Sequence, residues 1–86
     1  MPYQITYVPS AVKVIKQTDP LPRQRILKAI EALSINPRPR GCKRLKGGQG
    51  ELRIRVGSHR VIYEVNDGQL TILVLKIGHR SSIYRR

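Results

Sequence analysis

"ELRIRVGSHRVIYEVNDGQLTILVLKI", residues 51–77, writes out most of a β-sheet in one run of sequence. Apolar and polar side chains alternate on both sides of Gly57-Ser58 and again around Asp67-Gly68, the period-two pattern of strands joined by tight turns. Each dipeptide suits a two-residue hairpin, because glycine accepts the positive φ that such turns require. The expected strands are residues 51–56, 59–66 and 69–77. A two-residue turn at Gly57-Ser58 pairs Val56 with His59, Arg55 with Arg60, Ile54 with Val61, Arg53 with Ile62 and Leu52 with Tyr63. Alternation then sends Leu52, Ile54, Val56, Val61, Tyr63 and Val65 to one face, and Arg53, Arg55, Arg60, Ile62 and Glu64 to the other. Arg55 thus lies directly across from Arg60, where like charges cost up to about 1 kcal/mol. A sheet built for stability alone has no use for that pairing. If Asp67-Gly68 is a second two-residue turn, Arg60 faces Leu75, Val61 faces Val74 and Tyr63 faces Ile72. Arg53, Arg55, Arg60 and Arg80 then surround one concavity, floored by Leu73 and Leu75, with Lys43, Arg44 and Lys46 beside it.

Upstream of this stretch, "YQITYV" alternates and reads as a strand over residues 3–8. Pro9 and Ser10 open a short helix to about Gln17, with Ala11, Val14, Ile15 and Thr18 at helical spacing. Asp19 is placed to cap a second helix, with Pro20 at its first position and Pro22 in its first turn, where no backbone donor is needed. Its apolar stripe is Ile26, Ala29, Ile30 and Leu33, and Asn36-Pro37 ends it. "PRPRGCKRLKGGQG", residues 37–50, reads as a loop by its proline and glycine content, with Leu45 as its anchor into the core. These elements make an α+β two-layer sandwich, in which the N-terminal strand joins a mainly antiparallel four-stranded sheet and the helical hairpin covers one face. Residues 1–86 are expected to form a single domain with a core one layer deep.

The chain carries 17 Lys and Arg against 5 Asp and Glu, a formal net charge of +12. The excess is concentrated in residues 38–86, with twelve basic and three acidic side chains, against five and two in residues 1–37. A field of this strength favours polyanions, so nucleic acid precedes an anionic membrane or an acidic protein as the expected partner. Phe and Trp are absent and four Tyr are present, which argues against a base-stacking platform. One cysteine, Cys42, excludes an intramolecular disulfide and fits a reducing compartment. With no apolar run long enough to span a bilayer and no signal-peptide pattern at the N-terminus, the expected location is cytoplasmic, away from the membrane.

Arginine stays protonated near physiological pH, so it cannot act as a base there, but it clamps phosphate bidentately and stabilises developing negative charge. The acids at 19, 31, 51, 64 and 67, two histidines and one cysteine form no ligand set, so neither metal nor other cofactor is expected. His59 reads as a packing residue at the end of the core face. His79 is either solvated or an acid or base beside a bound phosphate. Tyr84 is either a packing anchor or a phenol that stacks on a base or moves a proton.

"LKGGQGELRIRVGSHRVIYEVNDGQLTILVLKIGHRSSIY" resembles the C-terminal half of the RelE/ParE toxin superfamily, in particular RelE-like toxins of bacterial toxin-antitoxin pairs, and the preceding strand and helices are in family order. The combination of "RVGSHRVIYEV" with "IGHRSSIY" carries the resemblance. It implies a metal-independent ribonuclease that cuts messenger RNA in the ribosomal A site, a ribose 2′-hydroxyl attacking the adjacent phosphate to leave a cyclic phosphate and a free 5′-hydroxyl. By the same resemblance, Arg60 is a phosphate and transition-state stabiliser, Arg80 lies near the leaving group or scissile phosphate, and Tyr84 orients the 2′-hydroxyl or stacks on a base. Arg53 and Arg55 stand where RelE proteins carry lysines. A lysine whose pKa is lowered can serve as a base and an arginine cannot, which leaves proton transfer to Tyr84, to His79 or to the ribosome.

Lys43, Arg44 and Lys46 are expected to bind RNA or ribosome. The implied partners are the ribosome with its messenger RNA and a cognate antitoxin, acidic where it meets the arginines. Operator DNA would be reached only through the antitoxin complex. Two other functions remain open, a ParE-like poison of DNA gyrase and a non-catalytic RNA-binding regulator.

Overall fold

The computed structural model describes residues 2–79. Seven elements follow in order: β1 (Gln4–Tyr7), α1 (Pro9–Gln17), α2 (Pro20–Leu33), β2 (Lys43–Arg44), β3 (Leu52–Val56), β4 (His59–Asn66) and β5 (Thr71–His79). The strands form one open sheet in the order β1-β5-β4-β3-β2. β1 runs parallel to β5 and the remaining neighbours are antiparallel. Two helices on a mixed sheet give the expected α+β two-layer class, but the described strands number five rather than four. The additional one is β2, inside the stretch whose composition reads as a loop. Lys43 and Arg44 pair with Arg53 and Leu52. This pairing covers part of the β3 edge, whose backbone groups would otherwise have no sheet partner.

Both helices start on proline, where the missing N–H costs nothing. Asp19 does occupy the N-cap of α2, yet its side chain makes no capping hydrogen bond. Pro22 explains this, because it stands at the third helical position and removes one of the two amides an N-cap side chain normally reaches. The helices close over the sheet through Ala11 of α1 and Ile26, Ile30 and Leu33 of α2, which meet Leu52, Ile54, Val61, Tyr63, Ile72, Val74 and Ile77. Burial of each large aliphatic side chain in this cluster contributes about 1.5–3 kcal/mol. Leu45, the expected loop anchor, is only half-buried and lies outside this cluster. Its place is taken by Cys42, which packs against the core. Tyr63 ties the same loop down, its buried hydroxyl donating to the Pro37 carbonyl at 2.7 Å. Burial, with the Cys42 thiol nearby, pushes this phenol well above its usual range.

The first hairpin has the expected register, Leu52 to Val56 against Tyr63 to His59, with Gly57 at φ 63° in the turn. The second differs. Its link runs over residues 67–70, and the pairs are Asn66 with Thr71, Val65 with Ile72, Glu64 with Leu73 and Tyr63 with Val74. The expected partnering of Arg60 with Leu75, Val61 with Val74 and Tyr63 with Ile72 is therefore incorrect. Within the longer link, the Asn66 side chain accepts a hydrogen bond from the Gln69 amide at 3.0 Å, and Leu70 turns the chain at φ 55°. Asp67 is also held from outside, accepting from the Tyr3 hydroxyl at 2.6 Å and from both terminal nitrogens of Arg38 at 3.2 and 2.9 Å.

A bulge follows at Leu75, since Tyr63 pairs with Val74 but Ile62 pairs with Lys76. The extra residue resets alternation along β5. Ile77 thereby faces the helices, 4% exposed, and Lys76 faces away. Among the described residues, no helix is long and apolar enough to cross a membrane.

Candidate functional site

The face of the sheet opposite the helices carries two cross-strand rows of basic residues. In the first, Lys43 of β2 stands beside Arg53 of β3, then Ile62 of β4, then Lys76 of β5. In the second, Arg55 of β3 stands beside Arg60 of β4, which stands beside Gly78 of β5. Neighbouring strands are about 4.8 Å apart, and residues two positions along a strand about 7 Å apart. The first row therefore spans about 14 Å, with the second about 7 Å away. The short turn at Gly57-Ser58 brings Arg55 and Arg60 together, and β2 brings in Lys43.

Arg60 is the most constrained of these side chains. Its Nε and Nη1 are shut off from solvent and have no hydrogen-bond partner among the described residues. A buried guanidinium donor left unpaired is costly, and such sites persist where another molecule supplies the acceptor. Gly78 beside it offers no side chain that could compete. Ile62, in the next row, is buried at 7% exposure, so the neighbouring charges sit partly on apolar surface.

Arg44 pairs with Leu52 rather than Arg53, which turns it to the helix side at the β2 edge. Together with Lys43, Leu45, Lys46 and Arg53 it lines a groove of about 380 Å³ along that edge. Arg53, Arg55, Arg60 and Lys43 thus share one face, with Arg44 and Lys46 on its border. His79 is brought elsewhere. It pairs with His59, and by alternation both lie on the helix side at the end of the sheet, with ring centroids 5.6 Å apart and planes at 73°. Arg80 and Tyr84 lie outside the described residues.

Lys76 belongs to the basic face and sequence reasoning missed it. With a two-residue turn at Asp67-Gly68, Lys76 would pair with His59 and point toward the helices. Neither the four-residue link nor the bulge that reverses this has a compositional mark in "NDGQLTILVLKI". Arg38, by contrast, counts toward the positive charge of the chain but is paired with Asp67 at 2.9 Å. Hydrogen bonding from Arg38, and then from Tyr3, holds the Asp67 carboxyl below its usual range, and the same bond to Asp67 raises the Tyr3 phenol. This cluster sits at the far end of the sheet from Gly57. Among the described residues, no three His, Cys, Asp or Glu side chains group in a way that could hold a metal ion.

A family profile described as "ParE toxin of type II toxin-antitoxin system, parDE" matches residues 11–84. The chain is 30% identical over 91 residues to toxin RelG of Mycobacterium tuberculosis, covering 100% of both proteins. It is 34% identical over 85 residues to toxin RelE3 of Methanocaldococcus jannaschii, covering 94% of each. Among solved structures, the archaeal RelE-RelB complex of Pyrococcus horikoshii OT3 matches with a TM-score of 0.83 and 29% identity, over 95% of this chain and 99% of that one.

Proposed function

Because this chain belongs to the RelE/ParE superfamily of type II toxin-antitoxin toxins, we propose that its basic sheet face cleaves messenger RNA in the ribosomal A site, as the RelE-like toxin of a toxin-antitoxin pair. The observation that carries this reading is Arg60, with two solvent-shielded donors that have no partner among the described residues, directly across from Arg55. A phosphoryl group is the ligand that satisfies such an arrangement, since it accepts several charge-assisted hydrogen bonds at once.

In the proposed reaction the ribose 2′-oxygen attacks the adjacent phosphorus as its proton leaves. The bond from phosphorus to the 5′-oxygen breaks, that oxygen takes up a proton, and the products are a 2′,3′-cyclic phosphate and a 5′-hydroxyl. Arg60, Arg55 and Arg53 stabilise the negative charge that accumulates on the non-bridging oxygens, the kind of preorganised stabilisation that lowers such barriers most. Arg80 is assigned to the leaving group by its place in the "GHR" motif. Of the two side chains considered for proton transfer, Tyr84 fits this reading better than His79, because strand register turns His79 toward the helix side. The Pyrococcus neighbour is a RelE chain in complex with RelB, which supports a cognate antitoxin as the partner of this chain. Net charge predicts that the antitoxin is acidic where it covers the arginines.

The test is primer extension on a defined messenger RNA with programmed ribosomes, purified protein and the Arg60→Ala variant, with free RNA as control. Cleavage within the A-site codon that requires both ribosome and Arg60 is the expected result. The matching profile is that of ParE toxins, which favours gyrase poisoning as the second reading. Intact RNA together with inhibited gyrase supercoiling would replace the first reading by that one.

A further inference from the structure

Within the RNA-cleaving reading, on which this step rests, we infer that the RNA backbone crosses the strands rather than following them, and that Lys76 and Lys43 hold phosphates at the two ends of its path. The bulge at Leu75 decides where Lys76 lies. If β5 continued beyond Val74 in unbroken register, Val61 would face Lys76 and the ammonium would enter the core. The bulge puts Ile77 there and delivers Lys76 to the end of the row Lys43–Arg53–Ile62–Lys76. That row carries a cation on three of its four strands.

Charge along the strands argues the same direction. A backbone running along β4 from Arg60 would pass Ile62 and then meet Glu64, beyond which Arg38 is already taken up by Asp67. Glu64 and Asp67 also line the groove at that end of the sheet, together with Thr6, Gln49, Asn66 and Leu73. A polyanion following the strand would leave the cations within about 7 Å of Ile62. A polyanion crossing the strands stays on Lys43, Arg53 and Lys76 throughout, with Arg55 and Arg60 in the adjacent row for the scissile phosphate. The second row ends in Gly78, which brings no side chain up beside Arg60 where the first row has Lys76.

The test is fluorescence anisotropy of a labelled single-stranded RNA twelve-mer, 2′-O-methylated so that it cannot be cleaved, titrated with the full chain from 50 to 300 mM KCl. Each phosphate neutralised on single-stranded nucleic acid contributes about 0.7 to the slope of log K against log[salt]. Lys76→Gln and Lys43→Gln are each expected to reduce the slope by about 0.7 and weaken binding about four-fold at 0.15 M salt. Lys28→Gln, on the exposed side of α2, is expected to match the wild type. If the wild type binds with a steep slope and Lys76→Gln behaves like Lys28→Gln, with equal thermal stability, the crossing path is wrong while the RNA reading stands. If the wild type shows no salt-dependent RNA binding and no ribosomal cleavage, both fall together.

Discussion

Replacing Arg55 by Thr should stabilise the isolated protein while weakening cleavage, and the sizes of both effects follow from the structure. Arg55 and Arg60 are direct cross-strand partners, Arg55 is exposed and Arg60 is half-buried. Taking the two charges as about 7 Å apart, Coulomb repulsion is about 0.6 kcal/mol at the dielectric constant of water and about 2.4 kcal/mol at an effective value of 20. Screening over the roughly 8 Å Debye length at 0.15 M salt reduces this to about 0.3–1 kcal/mol. Arg55→Thr should recover that amount, a rise in Tm of about 2–5 °C for a domain of this size. The gain should shrink by most of its value in 1 M salt, where the Debye length is about 3 Å. Arg55→Lys, which keeps the charge, should show no gain. Cleavage by Arg55→Thr should fall about 10- to 100-fold, the loss of one charge-assisted hydrogen bond to the phosphoryl group. Thermal unfolding at the two salt concentrations and single-turnover cleavage on programmed ribosomes measure these quantities. A variant destabilised by more than about 0.5 kcal/mol, or a gain indifferent to salt, would refute the claim that this hairpin holds unrelieved repulsion.

Two further expectations concern the scaffold. Tyr63→Phe leaves the Pro37 carbonyl without its donor in a part-buried place; urea unfolding should show a loss of about 1–2 kcal/mol with an unchanged m-value. The Tyr3–Asp67–Arg38 cluster should make stability depend on pH from both sides. Asp67 lies below its ordinary value of 3.8 in the folded state, so its contribution is present above that value and disappears as pH falls through the folded pKa. Tyr3 lies above its ordinary value of 10.0, so its contribution is present below that pH and disappears as pH rises through the folded pKa. Asp67→Asn should flatten the part of both limbs that the cluster contributes in a Tm-against-pH profile; superimposable profiles for variant and wild type would show that it contributes nothing.

The first hairpin was legible from the sequence because its information is local. Gly57 supplies the positive φ of a two-residue turn, and a one-residue slip would have turned either Arg53 and Arg55 or Arg60 into the core. The helices were legible for a similar reason, with the stripe Ile26, Ala29, Ile30 and Leu33 repeating at the helical period and prolines marking where each helix begins. The family resemblance rests on the same local motifs.

The rest depended on partners remote in sequence. Asp67-Gly68 has the composition of a two-residue turn, but Tyr3 and Arg38 hold Asp67 from 64 and 29 residues away, and the link that forms has four residues. The bulge at Leu75 is settled by which of Lys76 and Ile77 the core will accept, a question that exists only once α1 and α2 cover the sheet. Likewise Lys43 and Arg44 form a strand because β3 has an open edge beside them. The alternation, the first turn and the concentration of positive charge on one hairpin are written locally, since these are set by residues within a few positions of one another. That Lys76 joins that charge, that His79 turns from it and that Arg38 is withdrawn into an ion pair comes from packing, because each depends on which distant chain segment lies alongside.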